Sequence, residues 1–490
     1  MLHCNVGEIA AAIPRDRPFR LAQRRGRTPV SPSRCVAGSV LTDSVPSFDG
    51  ASLALVWCVP FAGLLLSVAL TPLVAPGFWH HHYGKVAAGW AALFLVPFAL
   101  VFGAGLALHE ILLVALTEYL PFILLVTALY VVAGGIEIGG KLSGSPWMNA
   151  GLLLIGTLLA SWIGTTGAAM LLIRPLLRAN AARKYRTHVV IFFIILVGNV
   201  GGALTPLGDP PLFLGFLNGV DFFWTTRVLL LPMVLTVAML LVLYLLVDAV
   251  LYRREGKAVR AVEFEREITI DGHFNFLLIG GVVGAVLLSG LWHPTPTISI
   301  GGVAIAIENL TRELILLAVI GLSWWVTPRA IRARNAFTWE PVLEVAKLFC
   351  AIFLTIVPVM TILSAGADGA LAPVVRLVER AGGPNNLAYF WVTGLLSSFL
   401  DNAPTYLIFF NAAGGDADRL MTTGAETLGA ISAGAVFMGA LTYIGNAPNL
   451  MIRAIAEEQG VKMPNFVSYL GLSCLVLLPV FFILSLVFFS

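Results

Sequence analysis

Long apolar runs constrain the fold of this chain more than any other feature. Residues 228–250 and 466–489 are apolar almost throughout, and each exceeds the roughly 20 residues that a helix needs to cross about 30 Å of hydrocarbon. Charged residues make up only 12% of the chain, whereas a soluble globular protein carries about a quarter. We therefore predict an all-α polytopic membrane protein whose main partner is the lipid bilayer.

Residues 1–50 differ from the rest of the chain. They contain seven arginines with several prolines and serines, and no apolar run long enough for a signal peptide or a membrane span. We predict a disordered N-terminal extension for this segment.

The apolar segments that follow come in two sets of six. The first set lies within residues 51–251, which we interpret as a first transmembrane repeat. Residues 252–274 are rich in charged side chains and are predicted to form a cytoplasmic linker. Residues 275–490 hold the second set, as a second transmembrane repeat.

Two apolar segments in each half are interrupted by polar or helix-breaking residues. Residues 161–168 carry a polar centre between two apolar arms, each expected to be too short to cross the membrane alone. Residues 201–212 contain three glycines and three prolines, which cannot continue a helix. We predict a re-entrant hairpin at the first interruption and a discontinuous transmembrane helix at the second. Residues 398–405 and 439–448 repeat both interruptions in the second half.

A single offset relates the two halves. Ser161 and Ser398 are 237 residues apart, and so are Gly202 and Gly439. The second pair of interruptions shares the pattern Gly-Ala-Leu-Thr-x-(Leu/Ile)-Gly-(Asp/Asn)-x-Pro, which indicates an internal duplication. Glycines and prolines at the interruptions are the expected backbone hinges, namely Gly164, Gly201, Gly202, Pro206, Gly208, Pro210, Pro404, Gly439, Gly445 and Pro448.

The number of membrane crossings predicts the relative orientation of the halves. If each hairpin returns to its own side and each broken helix crosses once, each half crosses five times, giving about ten crossings plus two hairpins. An odd number per half predicts an inverted repeat, as in many secondary transporters. In this topology sixteen lysines and arginines lie at cytoplasmic ends and five at the opposite face, which agrees with the positive-inside rule. The arginines of residues 1–50 run against that bias. We predict a protein of the cytoplasmic (inner) membrane with both chain ends outside, on the periplasmic or extracellular face.

Polar side chains at the interruptions are predicted to line one central cavity. Backbone freed from helical hydrogen bonding is tolerated at membrane depth only where it is buried in protein or lines a wet cavity. Alternatively, these side chains cap broken helix ends or bind neighbouring helices. The candidate binding residues without charge are Thr165, Thr166, Asn199, Thr205, Asn402, Thr405, Thr442, Asn446 and Asn449.

Two carboxylates, Asp209 and Asp401, are the most informative members of the predicted cavity. Neither has an adjacent basic residue, and an ionised acid at the centre of a membrane helix costs about 2.5–3.5 kcal/mol on insertion scales. Both are therefore candidate sites for a transported sodium ion or proton, which would compete for the same oxygens. The alternative is a protonated acid, or an acid that caps a half-helix. Arg174 and Arg453 follow interruptions on their own helices; we expect both to extend toward the membrane surface, although either could attract an anion.

The interrupted motifs resemble those of the ion transporter superfamily, which includes arsenite pumps, citrate and dicarboxylate carriers, and NhaD-type sodium/proton antiporters. Residues 201–209 and 400–404 look like the NhaD-type motifs, and the resemblance covers residues 51–489. It implies an inverted repeat with two re-entrant hairpins and two discontinuous helices. Pro210 and Pro211 depart from the polar residues expected in the antiporter branch.

Together, these observations favour a sodium/proton antiporter that uses Asp209 and Asp401. The nearest alternative is a cation-coupled carrier of citrate or another carboxylate anion, and a passive channel is a third. We expect no enzymatic activity, because no nucleophile-base pair or metal-ligand cluster is present, and no cofactor apart from transported Na⁺ and H⁺. The small net charge of +3 gives no indication of nucleic-acid binding. A homodimer is compatible with this architecture.

Overall fold

The structure, a computed structural model, describes residues 49–140, 143–255, 269–380 and 383–490. Nearly all of its regular elements are helices. The predicted N-terminal extension lies outside the described residues except for 49 and 50, and so does most of the predicted linker, residues 256–268.

The first four helices form a compact group with one irregular turn. A π-helical turn, Ala115–Tyr119, joins the third helix to the fourth. The helices are α1 (Val59–Val74), α2 (Pro76–Phe102), α3 (Ala104–Val114) and α4 (Leu120–Ala133).

The first hairpin and the first discontinuous helix follow. The hairpin consists of α5 (Pro146–Ile163) and α6 (Thr165–Ala179), which are separated by Gly164 alone. The discontinuous helix consists of α7 (Thr187–Leu196), a 3₁₀ turn at Val200–Ala203 and α8 (Pro210–Leu217). A long helix, α9 (Trp224–Arg254), ends this half.

The second half has the same order of elements around its own interruptions. Its first helices are α10 (Phe274–Leu291), α11 (Ile307–Val326), α12 (Arg329–Arg334), α13 (Glu340–Ser364) and α14 (Ala372–Val378). The second hairpin is α15 (Asn386–Leu400) and α16 (Asn402–Ala412), followed by α17 (Ala417–Met421). The second discontinuous helix is α18 (Ala425–Met438), a 3₁₀ turn at Gly439–Leu441 and α19 (Ala447–Glu458), and α20 (Phe466–Phe488) is the last helix.

In the part of the chain that the structure describes, three short antiparallel ribbons connect helices, and the sequence did not predict them. They pair β1 (Glu137–Gly139) with β2 (Thr269–Asp271), β3 (Thr297–Ile300) with β4 (Val303–Ala306), and β5 (Glu379–Arg380) with β6 (Gly383–Pro384). The first ribbon joins residues that precede the first hairpin to the end of the linker. Arg334 reinforces it through ion pairs with Glu137 and, at 2.8 Å, with Asp271.

Among the described residues, nine helical segments are long and apolar enough to cross a membrane, which confirms an all-α polytopic membrane protein. Three shorter apolar segments, Thr187–Ala203, Asn386–Leu400 and Ala425–Leu441, belong to the hairpin and discontinuous elements. The arm α5 has 18 residues and counts among the nine, so the expectation that both arms are too short was wrong for this one. Its helix continues through Ser161 and Trp162, and the break comes only at Gly164. The inverted orientation and the number of crossings stay predictions.

The discontinuous helices lie at the centre of the protein. Every residue from Val189 to Leu196 in α7 and from Thr427 to Met438 in α18 is buried. A helix that is apolar and buried on all sides belongs to the interior rather than to a surface. The two breaks are therefore enclosed by protein, where unwound backbone at membrane depth can be tolerated.

Candidate functional site

One cavity lies where the two hairpin tips meet the two helix breaks. Its volume is about 70 Å³, which is enough to admit water, since a cavity needs only about 10–15 Å³ to hold one molecule. Its apolar wall comes from α4 and α13, through Phe122, Leu125, Val126, Leu129, Tyr130, Val345 and Phe349. Its polar side chains come from the interruptions, and they are Thr165, Thr166, Asp209, Asp401, Asn402 and Asn446.

The carboxylate of Asp209 is the centre of this polar group. Its Oδ1 accepts hydrogen bonds from Thr165 Oγ1 at 3.1 Å and from Asn446 Nδ2 at 3.0 Å. Its Oδ2 accepts one from Asn402 Nδ2 at 2.5 Å. Asp209 is only 2% exposed. Each of the other three interruptions therefore sends one donor to this single acid.

Local sequence explains why the Asp209 carboxylate is free to bind these donors. Asp209 is the residue before α8, in extended conformation, and its side chain makes no capping hydrogen bond. The usual partners of a capping side chain are the N–H groups of the second and third helical residues. Pro211 has no N–H, and the N–H of Leu212 binds the main-chain oxygen of Asp209 at 3.1 Å. The proline pair that departs from the antiporter pattern thus leaves the carboxylate available to other elements.

Asp401 is placed differently, at the tip of the second hairpin. Its backbone has φ 84° and ψ 139°, and Gly164 at the tip of the first hairpin has φ 78° and ψ 151°. This region is essentially restricted to glycine. The Asp401 Oδ1 accepts a hydrogen bond from the N–H of Ala403 at 3.1 Å, so this acid caps α16. The capping alternative considered from sequence therefore holds for Asp401 and not for Asp209.

Asn402 supplies the clearest vacant ligand atom in the cavity. The side chain is fully buried, and its Nδ2 is engaged by Asp209. Its Oδ1 is buried without a hydrogen-bond partner. Carboxylate and amide oxygens are ligands of small hard cations, and secondary transporters hold their coupling ions at interrupted helices.

Five of the sequence-predicted binding residues do not line the cavity but hold the interruptions together. Thr205 donates to the carbonyl of Ser161, and Thr442 donates to the carbonyl of Ser398, which is the same contact 237 residues later. Thr405 donates to the carbonyl of Asp401 at 2.7 Å. These hydroxyl groups satisfy backbone carbonyls that the breaks expose.

Asn199 and Asn449 join the two breaks directly. Asn199 Nδ2 donates to Asn449 Oδ1 at 2.8 Å, while Asn449 Nδ2 donates to the carbonyls of Gly439 and Thr442, both at 2.9 Å. The two asparagines therefore connect the break of the first discontinuous helix to α19.

Glycines at the breaks allow close backbone contacts in both halves. A Cβ on Gly208 would lie 2.2 Å from the carbonyl oxygen of Gly202, and one on Gly445 would lie 2.6 Å from that of Gly439. Pro206, Pro210 and Pro448 line the cavity directly. Each break is thus a tight loop that only glycine permits.

Sequence reasoning missed two features, one in the wall of the cavity and one outside the cavity. The first is the aromatic wall, in which Phe122 stacks on Phe349 with ring centroids 4.5 Å apart. Its only signal in the sequence was the spacing of three and four residues between the apolar side chains of α4 that line the cavity. The second is Asp248, a fully buried acid in α9 that binds Arg183, His188 and Tyr244. Its signal was one carboxylate inside an otherwise apolar run.

The cavity carries acids but no base. None of its lining residues in the described ranges is lysine, arginine or histidine. No group of three histidine, cysteine, aspartate or glutamate side chains comes together as a metal site in that part of the chain either. Any cation held here would depend on Asp209, Asp401 and neutral oxygens.

A comparison with known protein families identifies the family to which the chain belongs. The family model CitMHS_2, whose description reads "Putative citrate transport", matches residues 50–489. No curated protein matches the chain. The family match covers both hairpins, both discontinuous helices and the cavity between them. The chain is therefore a multi-pass membrane transporter that belongs to the CitMHS_2 family, a citrate-transporter-like branch of the ion transporter superfamily.

Proposed function

We propose that this protein is a secondary transporter that couples a small cation to the movement of citrate or a related carboxylate. The observation that carries the proposal is the convergence of all four interruptions on the Asp209 carboxylate, through Thr165, Asn402 and Asn446. The description of the family supplies the carboxylate. The sequence alone had favoured sodium/proton antiport, with this function as the alternative.

The cation site of the proposal is built from oxygens. Asp209 accepts three hydrogen bonds from neutral groups, none of which cancels its charge. The unpartnered Oδ1 of Asn402 belongs to the same cavity, and Asp401 adds a second acid. A sodium ion is the first candidate ligand, and a proton on either acid is the second.

Coupling follows from the charge of the cavity. A carboxylate substrate would be repelled by Asp209 and Asp401, because no basic side chain lines the cavity in the described ranges. One bound sodium ion cancels one of these two charges, and a second cation or a proton cancels the other, so the anion binds well only after the cations. Movement of the hairpins and broken helices against the apolar wall of α4 and α13 would then expose both to the other side.

Sodium/proton antiport is the second candidate function. It is favoured by the same two acids and the absence of a basic lining residue, since this exchange needs no anion site. In that case Asp209 and Asp401 would release protons as sodium binds and take them up as it leaves.

The functions are separated by transport in proteoliposomes. Labelled citrate uptake is measured with sodium, lithium or potassium outside, and proton flux is followed in parallel with a pH-sensitive dye. Citrate uptake that requires one of the cations supports the carrier. Sodium-dependent proton flux without uptake of citrate, or of a panel of di- and tricarboxylates, supports antiport and rejects the carrier.

We further propose the cytoplasmic membrane as the location, with both chain ends outside and the 252–274 linker inside, and a homodimer as the assembly. The bias of sixteen basic residues against five supports this orientation. A reporter fused after residue 254 should be on the cytoplasmic side of the membrane, and one fused at the C-terminus should be on the outer side. The reverse pattern would reject the topology, and a monomer by light scattering in detergent would reject the dimer.

A further inference from the structure

Arg174 lies on the α6 face that leads away from the cavity. Residues four apart on a helix share a face, which places Thr166, Met170 and Arg174 in one row. Thr166 lines the cavity, and eight residues of helix put Arg174 about 12 Å further along the axis. In the predicted topology this direction is toward the cytoplasm.

Arg174 is half-buried, and it lacks the ion pair or hydrogen bonds that three more deeply buried arginines have. Arg183 forms an ion pair with Glu255 at 3.0 Å, and Arg312 forms one with Glu313 at 2.7 Å. Arg332 donates to the carbonyls of Val131 and Ser323, both at 2.9 Å. Arg174 forms no ion pair or hydrogen bond with the described residues, and its Nη1 is buried without a hydrogen-bond partner. Arg332 Nε is also buried without one, but the other two nitrogens of that guanidinium are bonded. The expectation that Arg174 extends toward the membrane surface stays a prediction, because the residue is partly exposed.

A thin apolar layer separates Arg174 from the cavity. Tyr130 and Met170 pack with Val342, and Phe337 and Met451 pack against them. Tyr130 also lines the cavity and is an electrostatic neighbour of Arg174, together with Arg178 and Glu458. This layer, formed by α4, α6, α13 and α19, therefore has the acidic cavity on one side and Arg174, with Glu458 as its acidic neighbour, on the other.

We propose that Arg174 binds a carboxylate group of the transported anion on the cytoplasmic side of this layer. A guanidinium is suited to this role because it holds a carboxylate through two parallel hydrogen bonds. The acidic cavity does not provide such a positive group, so the anion meets its fixed counter-charge outside the cavity and its cation within it. This inference rests on the proposed carboxylate transport and names a residue that recognises the substrate.

The test compares Arg174→Gln, Arg174→Lys and the control Arg178→Gln. Arg178 is on the same helix but is exposed, and its guanidinium binds the carbonyl of Ile138. We expect Arg174→Gln to raise the KM for citrate at least about tenfold, the effect of one lost hydrogen bond to a charged group, with the maximal rate changed much less. The KM of Arg174→Lys should fall between those of the wild type and Arg174→Gln, because lysine keeps the charge and loses the bidentate geometry.

A binding measurement provides a readout that does not depend on transport. Citrate should raise the melting temperature of the purified wild type and of Arg178→Gln, and this shift should be lost in Arg174→Gln. Size-exclusion chromatography establishes that each variant is folded. A wild-type KM and a wild-type citrate shift in Arg174→Gln overturn this inference alone. A wild type that neither binds nor transports any carboxylate overturns the proposed function, and this inference with it.

Discussion

Asp209 and Asn446 occupy equivalent positions in the two halves, 237 residues apart, and they bind each other directly with Asn446 Nδ2 3.0 Å from Asp209 Oδ1. Thr165 and Asn402 are also 237 residues apart, and both donate to the same carboxylate. Two pairs of equivalent positions thus form one group, with the Asp209 carboxylate at its centre. The frame of the site recurs in both halves, whereas the acids do not: the first half places Asp209 at its break, and the second half places Asp401 at its hairpin tip.

A charge exchange between the halves tests this arrangement. The single variant Asn446→Asp places a second carboxylate within about 3 Å of the first, and the repulsion should lower the melting temperature and abolish transport. The double variant Asp209→Asn with Asn446→Asp keeps one acid in the same group of donors. We expect it to recover stability and part of the cation-dependent uptake. A double variant less stable than both single variants would contradict the equivalence of the two positions.

The backbone of Asp401 provides the second prediction. The backbone conformation of Asp401 costs about 1–3 kcal/mol for a residue with a side chain, and Asp401→Gly removes this cost. The substitution also removes the capping side chain, but replacing a capping residue by glycine costs only a few tenths of a kcal/mol. We expect an unchanged or higher melting temperature, together with weaker cation dependence of transport. Gly164→Ala at the equivalent tip should lower the melting temperature, because its Cβ meets only ordinary contacts and the cost is conformational. A marked loss of stability in Asp401→Gly would show that its cap matters more than its strain.

Asp248 is expected to contribute strongly to stability. It is fully buried, and it binds Arg183, His188 and Tyr244. Removing one partner of a buried ion pair costs about 3–5 kcal/mol where the other charge is left unpaired. Arg183 keeps its ion pair with Glu255, so we expect a cost at the lower end of this range. Asp248→Asn should therefore lower the melting temperature in detergent by several degrees. As a control, Glu457→Gln breaks the more exposed pair with Arg453, for which we expect almost no change.

The close backbone contact at the first break gives the fourth prediction. In Gly208→Ala the new Cβ would lie 2.2 Å from the carbonyl oxygen of Gly202, so the loop that positions Asp209 must move. We expect poor folding or loss of cation-dependent transport, measured by chromatographic homogeneity and uptake. Gly280→Ala in α10 has no atom within 4 Å of the new Cβ and should behave as the wild type. Normal transport by Gly208→Ala would show that this loop tolerates displacement.

The positions of the breaks could be predicted from sequence, but their supporting contacts could not. Glycine and proline mark where a helix stops, so residues 201–212 and 439–448 were located correctly. The continuation of α5 to Ile163 depends on the next element, since Thr205 donates to the carbonyl of Ser161 and Ser161 Oγ donates to that of Gly201 at 2.5 Å. Hydrogen bonds to residues about 40 positions away in the chain leave no pattern in the local sequence.

Residue type alone also could not separate binding residues from structural ones. Thr165 and Thr205 looked equivalent, yet the first reaches Asp209 and the second a backbone carbonyl. Asn402 and Asn449 differ in the same way, because only Asn402 keeps a free oxygen in the cavity. Whether a side chain reaches the cavity or a backbone carbonyl depends on the backbone conformation of each break, and packing between the halves determines that conformation.

Sodium binding to purified protein tests the central claim most directly. Radiolabelled sodium is captured on immobilised wild type, on Asp209→Asn, and on Asp221→Asn, in which an exposed loop aspartate is neutralised. The proposed site requires saturable binding to the wild type and to Asp221→Asn, and none to Asp209→Asn. Equal saturable binding to all three proteins would contradict the assignment of Asp209 as the cation site.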